Sequence, residues 1–222
     1  MHIDVSSYNG NPNIGLFCFA NNKYCLVPFG FSEKEKKKYE KALKVPIYEM
    51  RAAGTSLLGV FFTGNDDILL VPKIMFDTEL KRLDELKIKY QVVESELTAL
   101  GNNLLVLNNN CIANPDFSED AINSIKKNKI NVKLGKINEL NTVGSLAKGT
   151  SQGMIVSDNI KDFEIKFIEK NLKVSVTKGS LNFGSQYVAS AFFCNDSGFI
   201  VGDVSTGPEI QNADIALGFM EE

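Results

Sequence analysis

Gly15-Leu-Phe-Cys-Phe19, Gly59-Val-Phe-Phe62, Gly101-Asn-Asn-Leu-Leu-Val106, Gly144-Ser-Leu-Ala147 and Ala189-Ser-Ala-Phe-Phe193 are five variants of one phrase, a small residue leading into an apolar run. Successive copies start 44, 42, 43 and 45 residues apart. An apolar pair follows each copy at the same steps: Leu26-Val27, Leu70-Val71, Ile112-Ala113, Ile155-Val156 and Ile200-Val201. Two markers that hold one register along the whole chain identify an internal repeat of roughly 44 residues. Each phrase is expected to begin a strand at its small residue, and each apolar pair to lie on a second strand.

Between the two markers stand Asn21-Asn22, Gly64-Asn65-Asp66, Asn108-Asn109-Asn110, Gly149 to Gly153 and Asn195-Asp196-Ser197-Gly198. These residues tolerate positive φ, so each unit opens with a β-hairpin. Further on come Lys36/Tyr39, Leu80/Leu83, Ile122/Ile125, Ile165/Ile168 and Ile210/Ala213, an i,i+3 pairing within charged sequence that predicts an amphipathic helix. Ser32, Asp77, Ser118 and Asp162 stand where a side-chain oxygen would cap the first turn, and Gly207-Pro208-Glu209 has the form of a helix start. A third strand follows the first four helices, at Val45–Met50, Ile88–Glu94, Ile130–Leu134 and Leu172–Val176. The fifth copy has none, whereas Ile3-Asp4-Val5 precedes the first hairpin with no partner. The N-terminal strand is therefore expected to complete the fifth sheet and close a ring, which removes exposed sheet edges.

The expectation is an α/β (α+β) chain forming a single domain over 1–222, with repeats of about 6–50, 51–94, 95–134, 135–176 and 177–222 closed by a strand at 1–5. With 222 residues, 44% of them hydrophobic, the chain can bury a sizeable core. A net charge of −3 argues against binding driven by phosphate contacts, and so against free DNA as a partner; a basic protein partner suits it better. No secretory leader and no apolar stretch of membrane-spanning length stand out, so a cytoplasmic protein without a membrane partner is expected. Cys18, Cys25, Cys111 and Cys194 show no Cys-x-x-Cys spacing and read as free, partly buried thiols. With one histidine, the chain offers no metal-ligand cluster, and no phosphate-binding loop occurs. Gly149-Thr-Ser-Gln-Gly153 matches the serine-hydrolase elbow in letters only, because it falls in a hairpin slot and no helix follows directly. Neither catalytic residues nor a cofactor are expected.

Five strand-strand-helix-strand units around a pseudo-fivefold axis resemble the pentein, or alpha-beta propeller, architecture. Local motifs are more specific. Ile68-Leu-Leu-Val-Pro72, Asp77-Thr-Glu-Leu80, Glu96-Leu-Thr-Ala-Leu-Gly-Asn102, Asn114-Pro-Asp116, Thr142-Val-Gly-Ser145, Asn182-Phe-Gly-Ser185 and Gly202-Asp-Val-Ser-Thr-Gly-Pro-Glu209 resemble the translation initiation factor six family, in its archaeal form without a C-terminal tail. The resemblance implies a monomeric factor that binds the joining face of the large ribosomal subunit, mainly through a ribosomal protein near the sarcin-ricin loop. It implies that the bound factor blocks the small subunit and acts in subunit maturation, with release by a translocase-like GTPase and a partner protein. The rival is a pentein enzyme acting on guanidino groups, such as an arginine deiminase. It would need a histidine beside a thiol, and the chain's sole histidine is His2.

Rotation of the repeats should bring the turns before the repeat glycines to one face: Asn11-Pro-Asn-Ile14, Thr55-Ser-Leu-Leu58, Leu97-Thr-Ala-Leu100, Asn141-Thr-Val143 and Ser180-Leu-Asn-Phe183. Their small polar and apolar content suits a protein-protein patch. The family's contacts carry over to Asn13, Val60, Asn65, Asn102, Asn108, Leu146 and Tyr187 as candidate ribosome-binding residues, with Tyr187 as the aromatic anchor.

Overall fold

The computed structural model describes residues 2–220; Met1, at the head of the expected closing strand, and Glu221 and Glu222 lie outside the described residues. The apolar pairs form the middle strands of five three-stranded sheets: Cys25–Val27, Leu69–Pro72, Asn110–Ala113, Met154–Ser157 and Gly198–Gly202. Both faces of these strands are covered, and every residue of the five pairs is fully buried, which explains a continuous apolar run in place of alternation. Each middle strand pairs antiparallel with the strand before it: Phe19–Ala20, Thr63–Gly64, Leu104–Leu107, Ala147–Gly149 and Phe192–Asn195.

On its other side the middle strand pairs in parallel with Ile47–Glu49, Tyr90–Val93, Asn131–Leu134 or Val176–Gly179. A parallel pair cannot be joined by a tight turn, and here the connection is the helix: Glu33–Leu43, Asp77–Glu85, Glu119–Lys126 and Asp162–Leu172. The fifth helix, Gly207–Ala216, leads to no further strand among the described residues. Its sheet is completed by Ile3–Ser6, parallel to the middle strand in the register Ile3 to Phe199 through Ser6 to Gly202. His2 adds a bond to the buried Asp214 at 2.7 Å and rests against the Phe219 ring.

Helix starts follow the capping rule in three repeats. The side chains of Ser32, Ser118 and Thr206 accept from the backbone N–H three residues on, and Glu35 and Glu209 return the bond to the caps of their own helices. Asp77 and Asp162 are first helical residues and not caps, because Phe76 and Lys161 occupy the cap positions. The fourth third strand also lies four residues beyond its expected place. Leu172 is buried as the last helical residue and Lys173 turns the chain at φ +59, so the strand begins only at Val176.

A buried or partly buried glutamate ties helix to loop in three repeats. Glu79 accepts from the Ala53, Gly54 and Phe76 N–H groups, Glu164 from Asn138 and Lys161, and Glu209 from Thr206, Phe183 and Gly184. Partial burial pushes the Glu209 carboxyl up, but the bonds from Thr206, Gly184 and Ser180 outweigh it and hold it below the usual carboxylate range. These glutamates hold tight turns whose residues Ala53, Asn138, Glu139, Asn182 and Phe183 all have positive φ. The turns feed directly into the repeat glycines.

The glycines do not begin strands. Ile14–Leu16 is a 3-10 turn, and Leu58–Phe61, Leu100–Asn103, Val143–Leu146 and Val188–Ala191 are single α-turns. They touch each other in a closed circle around the axis, first to second through fifth to first. A Cβ added to Gly59 would lie 1.9 Å from the Gly15 carbonyl oxygen, one on Gly101 2.1 Å from Gly59, one on Gly144 2.1 Å from Gly101, and one on Gly15 2.2 Å from Ala189. The small residue recurs because backbone meets backbone at the axis.

Candidate docking face

Position within each central turn decides where a side chain points. Ile14, Leu58, Leu100, Val143 and Val188 enter the core, and the next residue faces its neighbour across the axis. The residue before the turn and the one after the glycine stay partly open. They form two rings, Asn13, Leu57, Ala99, Thr142, Tyr187 and Leu16, Val60, Asn102, Ser145, Ser190, and none of the ten carries a charge. Ser145 and Ser190 donate to the Thr142 and Tyr187 carbonyls at 2.7 Å, which leaves few free polar hydrogens on the face. Asn13 bridges the seam between the first and fifth repeats, where its Oδ1 accepts from Asn182 Nδ2 at 3.2 Å.

The structure therefore brings together Asn13, Val60, Asn102 and Tyr187, and Tyr187 is 43% exposed. It does not bring the other three candidates to this face. Leu146 is fully buried in the fourth repeat's core, because the second residue after the glycine points inward. Asn65 and Asn108 lie at the hairpin end of the ring, across the axial channel from the glycines. Asn65 is buried there: its amide donates to the Asn108 carbonyl at 2.9 Å and its oxygen accepts the Asp67 and Ile68 N–H groups. Asn21 and Asn195 do the same for their own turns and neighbours, so these asparagines belt the repeats together. Leu16, Ser145 and Ser190 were missed as members of the face, although equal offsets from the repeat glycines would have found them. Phe183, 82% exposed at φ +61, is a further aromatic on the turn held by Glu209.

Behind the glycines the axis opens into a channel of about 80 Å³ that widens to a vestibule of about 250 Å³ among the hairpin turns. Lys148 lines this channel with Phe19, Phe62, Phe193 and Cys194, and it makes no ion pair among the described residues. Burial pushes its amine below the usual lysine range. Between that lowered value and the ordinary value of about 10.4, the unfolded chain binds the proton more tightly, so stability rises with pH across this window. Lys148→Met is accordingly expected to raise Tm at neutral pH and flatten this slope, as thermal melts from pH 6 to 10 would show. An unchanged profile would mean that the amine is solvated in the channel.

The four thiols are all buried. Burial pushes Cys18, Cys25 and Cys111 well up, and Cys194 up to about 12, so none offers a thiolate at neutral pH. Among the described residues no group of three or more His, Cys, Asp or Glu is placed to hold a metal. No helix of the described chain is long and apolar enough to cross a membrane.

Five strand-strand-helix-strand units closed around an axis define a pentein, and an uncharged ring of central turns surrounds that axis. The N-terminal domain of the cyanobacterial arginine dihydrolase ArgZ shares this fold at a TM-score of 0.53, with 12% identity over 88% of this chain and 76% of that one. The chain belongs to the eIF-6 family, whose model matches residues 3–215. It is 35% identical over 222 residues to translation initiation factor 6 of Saccharolobus islandicus, covering 98% of this chain and 100% of that one. It is 37% identical over 215 residues to translation initiation factor 6 of Staphylothermus marinus, covering 95% of each.

Proposed function

We propose that this protein acts in translation as a cytoplasmic, monomeric and non-enzymatic cap on the large ribosomal subunit. Its central turns dock on the joining face, mainly against a ribosomal protein near the sarcin-ricin loop, and the bound ring blocks the small subunit. It acts in late subunit maturation, and a translocase-like GTPase with a partner protein removes it. The observation that carries this reading is the continuous uncharged face around Asn13, Val60, Asn102 and Tyr187. Interface centres are poor in charge and rely on fitted apolar contacts with an aromatic anchor, and this face has that composition within a chain of net charge −3.

Purified protein incubated with separated subunits and sedimented through a gradient tests it. Comigration with large subunits and a smaller joined-ribosome peak are expected. Tyr187→Glu and Asn102→Arg should each weaken comigration at least about tenfold, since each buries an unpaired charge in the contact, while the circular dichroism melt stays that of the parent. Cosedimentation unchanged in both variants would remove this face from the reading. Turnover of arginine-like compounds would favour the enzymatic alternative.

A further inference from the structure

The chain has 24 basic residues, of which only Arg51 and Arg82 are arginines, and both line one groove between the first and second repeats. The groove measures about 400 Å³, and its walls include Phe29, Met50, Gly54 and Phe76. Phe29 is 53% and Phe76 57% exposed, a costly arrangement for two large rings. Phe76 also breaks a local rule. It holds the helix cap position where three other repeats place Ser or Thr, so its helix forgoes a side-chain cap and relies on Glu79 to accept its N–H at 3.0 Å. A residue that stabilises neither core nor helix start points to selection for something else. Gly54, at φ +74, keeps the ring in place: a Cβ there would lie 3.0 Å from Phe76 Cε2.

The two guanidinium groups remain available. Arg51 is exposed and makes no ion pair among the described residues, and Arg82 meets only the exposed Glu85 at 3.2 Å, a pair of little strength. The nearest buried carboxylate, Glu79, is committed to three backbone N–H groups. Guanidinium grips a carboxylate through two parallel bonds, which an ammonium cannot do, so arginine in place of lysine here suits carboxylate recognition.

We propose that this groove binds an acidic peptide segment of a partner protein, seating an aromatic or large aliphatic side chain between Phe29 and Phe76 with flanking carboxylates on Arg51 and Arg82. A nucleic acid would also stack on the rings, but its continuous phosphates would face a net-negative chain and the adjacent Glu85. The groove adjoins the turn that leads into the second repeat's glycine but shares no residue with the two rings of the docking face, and its test does not depend on large-subunit binding.

A fluorescein-labelled octapeptide of Asp and Glu interrupted by two Phe residues, titrated with the full-length protein and followed by anisotropy, tests the proposal. Saturable binding that weakens with salt is expected, with affinity about tenfold lower for the Asn/Gln counterpart and for Arg51→Gln. Phe76→Ser should weaken binding by a similar factor while raising Tm, because serine restores the missing cap; loss of binding with gain of stability cannot come from misfolding. The proposal is overturned if the acidic and neutral peptides bind alike, if both variants bind as the parent does, if no saturable binding occurs, or if labelled oligouridylate binds in preference.

Discussion

Gly59→Ala is expected to destabilise the protein by roughly 3 kcal/mol or more and to broaden its melt. The added Cβ would lie 1.9 Å from the Gly15 carbonyl oxygen and 2.7 Å from that of Cys18. Both obstacles are backbone, so no side chain can rotate away. The first and second central turns would have to part, and with them the circle that all five turns make. Gly207→Ala provides the comparison, since nothing lies within 4 Å of its added Cβ and its φ is not left-handed. That change should be neutral or slightly stabilising, because alanine favours the helix. Urea unfolding of the two variants separates close approach from a general dislike of losing glycine. Equal midpoints would show that the ring gives way at little cost.

Removal of residues 1–5 is expected to lower Tm by roughly 10 °C, the equivalent of about 4 kcal/mol for a chain of this size, and to promote aggregation. The middle strand Gly198–Gly202 would lose the partner that pairs with it from Phe199 to Val201, together with the bond from His2 to Asp214. An uncovered strand of Phe199, Ile200 and Val201 is a template for pairing with another chain. Calorimetry with light scattering checks this. A truncated protein that melts like its parent and stays clear would mean that the fifth sheet does not need the third strand supplied by the N-terminus, only its own hairpin and helix.

Much of the architecture was legible because rotation copies both burial and turn chemistry. Leu70-Val71 and Ile155-Val156 sit in equivalent middle strands, so their spacing reported a structural period. The unpartnered Ile3-Asp4-Val5 likewise pointed to the fifth sheet, with which it pairs. The central turns were not legible, since Gly-Val-Phe-Phe fits a strand or a helical turn equally well over four residues and contacts around the axis made the choice. Phe76 and Lys161 at helix caps were missed because propensity favours Asp77 and Asp162, one residue later. At the docking face, Leu146 was carried over by likeness to a family; it stands two residues after its glycine where Val60 and Asn102 stand one after theirs, and the turn sends that position to the core. Asn65 and Asn108 were grouped with Asn102 by likeness to a family, and only the axial depth of the ring separates them.

The pairing of residue 3 with residue 199 sets an order of events during synthesis. Residues 3–6 leave the ribosome well before residues 199–202, so their place in the fold does not exist until that strand has been made. The bond from Asn182 to Asn13 likewise waits for the fifth repeat, so the seam of the central face closes only once that repeat has been made. A nascent chain that still lacks the fifth repeat thus has no closed circle of central turns.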